Sequence, residues 1–284
     1  MTKKRRRQQN GKRKRNNPPN FLGQHLMHNK KILTDIVKLA KIKQDEIVVE
    51  LGGGKGALTE LLAQTAGKLI VVEYDSKFVK ILKKKMNDNP AVTIIQQDIL
   101  QFQLPRKKFV VVANIPFAIT TPIMKKLLIQ PNNHFHRGVL LIEKGAAKRF
   151  TSSFVKDPYV MAWRMWFDIR YEKFVSRRNF SPPPRVDTAI ISIQRKVQPL
   201  VPVHHYYRFY GLLEYGMKNP HLSIDIALRG IFTVPQIKHL RRNLKVPVDL
   251  PVGMLTEQHW GTIFTSMLKH VPSYRWPRLS KKKM

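Results

Sequence analysis

The sequence predicts an α/β protein with a mainly parallel, doubly wound sheet and a smaller all-helical C-terminal domain. Three observations predict it. Between about residues 20 and 195, short β-branched runs alternate with stretches of helical periodicity, the pattern of strands joined by crossover helices. The first run ends in a cluster of glycines, as a strand does when it turns tightly into a helix. Past a Pro-containing break at 195–203 the β-branched runs stop and helical periods take over. A chain of 284 residues, 43% hydrophobic, is long enough for two domains and apolar enough to bury their cores.

Residues 1–19 form a basic arm. Its first fifteen residues hold nine Lys/Arg and no acid, and it ends in Pro18 and Pro19. It has nothing to bury and is expected to be disordered alone, either as a solubilising tail or as an arm that tracks phosphates. The first domain is expected over 20–198. Ile32, Leu33, Ile36, Val37 and Leu39 set a helix over 29–40, and Ile47–Leu51 is the first strand. A helix at 58–63 leads to a strand at 68–73. A helix at 76–86, with Phe78, Val79, Ile81 and Leu82 on one face, leads to a strand at 92–95 that stops near Asp98. Strands at 109–113 and 138–142 flank a helix at 121–129. The second domain, 199–274, carries helices at 204–218, 235–244 and 256–270, and a basic tail follows at 275–284.

The charge is extreme. Lys and Arg number 52 against 18 Asp and Glu, a net charge of +34. The excess runs along the whole chain, so the arm alone does not account for it. A polyanion partner is expected. RNA or DNA ranks ahead of an anionic membrane surface, because the aromatic residues form no membrane-binding amphipathic helix. No apolar run reaches the roughly eighteen residues a membrane helix needs, and no apolar segment follows the basic N-terminus as in a secretory signal. A cytoplasmic protein is expected. Cysteine is absent, which excludes disulfides, zinc–thiolate sites, iron–sulfur clusters and cysteine nucleophiles. No metal site is expected.

Four strand ends carry candidate chemistry. In Glu50-Leu51-Gly52-Gly53-Gly54-Lys55-Gly56, Gly52 and Gly54 allow a tight turn and close approach of the backbone to a ligand. The spacing fits both the G-x-G-x-G of methyltransferases and the G-x-G-x-x-A of a dinucleotide fold, and it does not fit a P-loop. Glu73, about twenty residues on, is placed to accept both ribose hydroxyls of an adenosine cofactor, which suits either class. A plain strand-end carboxylate is the alternative. Asp98 is placed to accept from an adenine amine, or to cap a turn.

The fourth motif, Asn114-Ile115-Pro116-Phe117, separates the classes. The amine of adenine is a poor nucleophile, because its lone pair is delocalised into the ring. The Asn114 side-chain oxygen and a nearby backbone carbonyl can accept its two hydrogens and localise that lone pair towards a sulfonium methyl. Pro116 stiffens the turn, and Phe117 can stack on an extruded base. In Asn179-Phe180-Ser181-Pro182-Pro183-Pro184-Arg185, the proline run can present Phe180 as a second stacking ring. A core Phe ahead of a loop is the alternative.

These motifs resemble those of the Erm-type ribosomal RNA adenine-N6 methyltransferases of macrolide–lincosamide–streptogramin B resistance. Those enzymes are related to the small-subunit rRNA adenine dimethyltransferases. The resemblance runs from about Asn20 to Pro277. It includes Phe21-Leu22-Gly23-Gln24-His25-Leu26-Met27, Glu143-Lys144-Gly145-Ala146-Ala147-Lys148-Arg149-Phe150 and Leu228-Arg229-Gly230-Ile231-Phe232-Thr233. It implies a Rossmann-like S-adenosylmethionine-dependent methyltransferase domain and a helical RNA-binding domain. By position it implies that His25 and Met27 touch the cofactor, Gly52 lies against its methionine part, Glu73 on the ribose, Asp98 at the adenine and Asn114 at the transfer centre. The implied substrate is 23S rRNA, modified before ribosome assembly by a monomeric enzyme. Many relatives carry Asn in place of His25 and Tyr in place of Phe117.

Overall fold

The structure is a computed structural model that describes residues 25–87 and 89–279. The basic arm, the segment up to residue 24 and the last five residues lie outside the described residues. In chain order the elements are β1 (Leu26–Met27), α1 (Lys30–Ala40), β2 (Ile47–Leu51), α2 (Ala57–Ala63), β3 (Lys68–Glu73), α3 (Ser76–Lys85) and β4 (Val92–Gln96). There follow β5 (Phe109–Asn114), α4 (Thr120–Leu128), β6 (Phe135–Glu143), α5 (Lys144–Thr151), α6 (Pro158–Trp166) and β7 (Phe167–Val175). The chain closes with β8 (Phe180–Ser181), β9 (Thr188–Arg195), α7 (Tyr206–Gly216), α8 (Ile224–Ala227), α9 (Val234–Leu244) and α10 (Glu257–His270).

Seven strands form one sheet in the order β4-β3-β2-β5-β6-β9-β7. The five from β4 to β6 are parallel, and β9 and β7 run antiparallel at one side. The expected parallel sheet is therefore extended by two strands that the sequence pattern does not separate from loop. The reason is visible in β7. Its FDIRYEKFV segment lies at the sheet edge, buried only at Phe167 and Val175 and exposed at Arg170, Glu172, Lys173 and Phe174, so it lacks the continuous apolar run of a central strand. In β5 the residues Phe109 to Ala113 are all buried, and that run is legible.

Each face of the sheet is covered. On one side Ile32, Leu33, Ile36 and Ala40 of α1 pack on Val48, Val110, Val112 and Ile190. Asn29 starts that helix, its side chain accepting from the Ile32 N–H at 3.3 Å. On the other side a single apolar cluster runs from Val49 and Val111 through α4 and α6 to Phe209, Trp260 and Phe264. Trp163 and Trp166 of α6 are wholly buried in it. The helical segment is thus welded to the sheet by α6, a helix missed in sequence because it is apolar all round. Among the described residues no helix is long and apolar enough to cross a membrane.

Candidate active site

Strand order reverses between β2 and β5: the chain moves outward from β2 through β3 to β4, then returns to β5 and β6 on the other side. In such sheets the crevice beyond the carboxyl ends at this point receives ligands. A cleft of about 320 Å³ opens there. Its walls include Met27, Glu50, Gly52, Gly53, Gly54 and Asn114.

The glycine loop is shaped by sterics. Gly52 adopts φ 86°, a left-handed backbone that side chains disfavour. A Cβ on Gly52 would point between the Asn114 carbonyl oxygen, Ile99 and Pro116 at 3.8–3.9 Å, into the space between the two strand ends. Gly53, which the spacing rule treats as a free position, has no room for a side chain. A Cβ there would lie 2.5 Å from Val71 Cγ1.

Glu73 braces the loop. It is buried, and its Oε2 accepts from the Gly54 N–H at 2.8 Å. Its Oε1 accepts from the Tyr74 and Asp75 N–H groups at 2.8 and 2.9 Å. A carboxylate offers about four lone-pair sites. Three are taken, so room for one further donor remains on Oε2.

Glu50 is the residue that sequence reasoning passed over. The signal was present: an acid inside the apolar run IVVEL. It is fully buried on the cleft wall and accepts from Thr59 Oγ1 at 2.6 Å. Burial pushes its carboxyl up to about 8, with the neighbouring Glu73 charge adding to the shift and the Thr59 bond opposing it. A raised folded-state value means that the stability conferred by the protonated form is complete below about pH 4.5. It is lost as pH rises towards and through about 8. Glu50→Gln keeps the Thr59 acceptor and cannot ionise. Urea unfolding of the cofactor-free protein is expected to show the variant gaining on the wild type between pH 5 and pH 8; a constant difference across that range would remove the protonated Glu50 from the account.

Asn114 ends β5, half-buried. Its Nδ2 donates to the His25 carbonyl at 3.2 Å, which leaves Oδ1 as an acceptor on a residue that lines the cleft. Phe117 opens the short 3-10 turn that follows Pro116. The His25 ring stacks on Phe117, 5.8 Å between centroids and 18° from parallel, and its Nδ1 bonds the Pro182 carbonyl at 2.8 Å. The structure thus places the His25 ring beside Phe117 rather than on the cleft wall. Met27, by contrast, lines the cleft and pairs with Phe180 across the β1–β8 ladder.

Phe180 is buried at 1% exposure, edge-on to Phe117 at 6.4 Å. It offers no free face and backs Phe117, which corrects the expectation of a second presented ring; pairing with β1 draws it into the core. Asp98 sits past the end of β4 and away from the cleft wall. Its Oδ1 caps the Leu100 N–H at 2.8 Å, the turn-capping alternative, and leaves Oδ2 outside that bond. Asn114, Gly52, Gly54 and Met27 are brought together at one cleft; Pro116 and Phe117 follow Asn114 along the chain, and His25 is tied to Asn114 and stacked on Phe117.

Residues 15–268 match the family of ribosomal RNA adenine dimethylases. The chain belongs to that family. Membership makes it an S-adenosylmethionine-dependent rRNA adenine N6-methyltransferase. An rRNA adenine N-6-methyltransferase of Bacillus licheniformis is 52% identical over 283 residues, which are 100% of this chain and 99% of that protein. A ribosomal RNA small subunit methyltransferase A of Geobacter metallireducens is 33% identical over 199 residues, 66% of this chain and 72% of that protein. The crystal structure of the 23S rRNA methyltransferase ErmE matches with a TM-score of 0.78 over 86% of this chain and 100% of that chain, at 23% identity, and so shares the fold.

The cleft of this methyltransferase fits the cofactor. The glycine loop leaves open the space that a Cβ on Gly52 would fill, and Met27 and Asn114 stand with it on the cleft wall.

Proposed function

We propose that the protein methylates N6 of one adenine in the peptidyl-transferase region of 23S rRNA, before that rRNA is assembled, and thereby confers macrolide–lincosamide–streptogramin B resistance. The observation that carries the chemistry is the Asn114 amide on the cleft wall, held through Nδ2 by the His25 carbonyl so that its oxygen is left to accept. In this reading Gly52, Gly54, Met27 and Glu50 hold the methionine part of the cofactor, Glu73 takes one ribose hydroxyl through Oε2, and Asp98 serves the adenine through Oδ2. S-adenosylmethionine supplies an electrophilic methyl on a sulfonium. Asn114 Oδ1 accepts one hydrogen of the target amine and turns its lone pair inward. Phe117 stacks on the flipped base, Pro116 keeps the turn rigid, and Phe180 supports the Phe117 ring from below. Catalysis then rests on orientation. Residues 20–198 serve as the catalytic domain and 199–274 as an RNA-binding domain, acting as a monomer.

Two features favour the large-subunit substrate: the very basic N-terminal arm and the Arg229-Gly230-Ile231-Phe232-Thr233 segment, both in keeping with the resemblance to the resistance family. A small-subunit 16S rRNA dimethyltransferase is the second reading, favoured by the Geobacter relative and by the family's dimethylase activity.

The test uses purified protein, labelled cofactor and three substrates: protein-free 23S rRNA, protein-free 16S rRNA and intact large subunits. Strong labelling of the first alone is expected, at one adenine by primer extension. Expression in a sensitive bacterium should raise tolerance to macrolides, lincosamides and streptogramin B together. Labelling confined to 16S rRNA would transfer the assignment to the second reading.

A further inference from the structure

An aromatic ring stands half in solvent on the outer strand of the sheet, close to the methyl-transfer site. Phe174, near the end of β7, is 47% exposed. Edge strands are ordinarily blunted with charge, and here a ring takes that place. The cause of its placement is local. The β7–β9 register shifts between Tyr171 and Lys173, so Lys173 faces α1, where it pairs with Asp35, and Phe174 faces α5.

The surroundings are cationic. Lys144 Nζ lies 4.7 Å from the Phe174 ring centroid. Arg177, Arg178 and Arg185 are exposed on the following loop. Two bonds to backbone carbonyls link these residues: the Lys144 backbone N–H donates to the Asp187 carbonyl at 2.9 Å, and the Arg177 guanidinium to the Arg185 carbonyl at 3.1 Å. Two acids lie near, Glu143 and Asp187, both half-buried, and an Asp187 carboxylate oxygen is engaged by the Arg177 N–H at 3.1 Å. Lys144 thus lies against the half-exposed ring, and three further cations stand on the segment that follows it.

The patch lies at the same end of the sheet as Asn114. β5 pairs with β6, Glu143 of β6 with Thr188 of β9, and Thr188 with Val175 of β7. Three strand spacings, roughly 14 Å, separate the end of β5 from the end of β7. The loop from Arg177 runs directly into Phe180, which touches Phe117.

Resting on the rRNA-methyltransferase reading, we propose that Phe174 is a stacking platform for an unpaired nucleotide flanking the target adenine, with Lys144, Arg177, Arg178 and Arg185 on its phosphates. A flipped base leaves its neighbours partly unstacked, and single-stranded RNA is held by such interleaving of aromatic faces and cations. The platform supplies grip beside the reactive base, and its ring stacks on any base.

The experiment takes the full chain and a protein-free rRNA fragment that the wild type labels, with 2-aminopurine placed in turn at nucleotides flanking the target. Wild type should quench the probe at one flanking position. Phe174→Leu should lose that quenching and bind the RNA about tenfold more weakly, with melting temperature, cofactor affinity and salt slope unchanged. Phe174→Trp should restore both quenching and affinity. The double variant Arg177→Gln/Arg178→Gln should keep the quenching and lower the salt slope by about 0.7 for each phosphate no longer neutralised. Wild-type quenching and affinity in Phe174→Leu would overturn the proposal and leave the ring as packing or as a protein-docking point. Failure of the wild type itself to label any rRNA would instead overturn the reading beneath it, before any variant is made.

Discussion

Asn114→Ala abolishes methyl transfer while cofactor affinity stays within a few-fold. The expectation follows from where the two halves of the amide point. Nδ2 is held by the His25 carbonyl, so Oδ1 alone is left to accept from a substrate amine at the cleft. Losing a pre-organised polar group of this kind costs on the order of 10²–10³ in rate, and here the group also orients the nucleophile, which deepens the loss. The amide has a second job as well. It tethers the strap formed by β1 to the end of β5, so the variant should lose about 1 kcal/mol of stability. Asn114→Asp keeps an oxygen at the cleft but sets a second one against the His25 carbonyl, where a donor is needed. It should be nearly as inactive and less stable. Single-turnover labelling measured beside calorimetric cofactor binding separates these effects. An alanine variant that turns over at even a tenth of the wild-type rate would contradict the assignment.

The strands that build the cleft were legible because they are central. β2, β3 and β5 are buried on both faces, so their β-branched runs stand out, and the glycines after β2 mark the turn. Asn114 was legible because its motif follows such a strand directly. β7 and α6 were not, for opposite reasons: one is an edge with polar residues on alternate positions, the other is apolar on every side. Phe180 shows what a motif leaves out. Its sequence says aromatic beside a proline run; only the pairing of Met27 with Phe180, about 150 residues apart along the chain, turns that ring inward. His25 is a similar case. Family position implies a cofactor contact, but the bond from its ring to the Pro182 carbonyl holds it on Phe117. Such long-range pairings have no signature in local spacing.

Glu73→Ala should fail in two measurable ways. The first is stability. Three backbone N–H groups, from Gly54, Tyr74 and Asp75, lose their shared acceptor. The site is buried, though it borders an open cleft where water can replace part of the loss, so a cost on the order of 3 kcal/mol is expected. For a chain of this size that lowers the melting temperature by roughly 6–12 °C. The second is affinity. The Gly54 N–H is held in place by Oε2, and the same oxygen keeps one lone pair for a ribose hydroxyl. Its removal should weaken cofactor binding roughly 10- to 100-fold, the range of one charge-assisted hydrogen bond. Glu73→Gln separates the two. The glutamine fills the same volume, but its amide nitrogen points a donor at N–H groups that need an acceptor, so part of the stability loss should persist. Its oxygen can satisfy either the loop or the ribose, and affinity should fall between wild type and alanine. Melting curves and calorimetry on the three proteins decide the matter. A lowered melting temperature in Glu73→Ala with unchanged cofactor affinity would make Glu73 a brace for the glycine loop and nothing more.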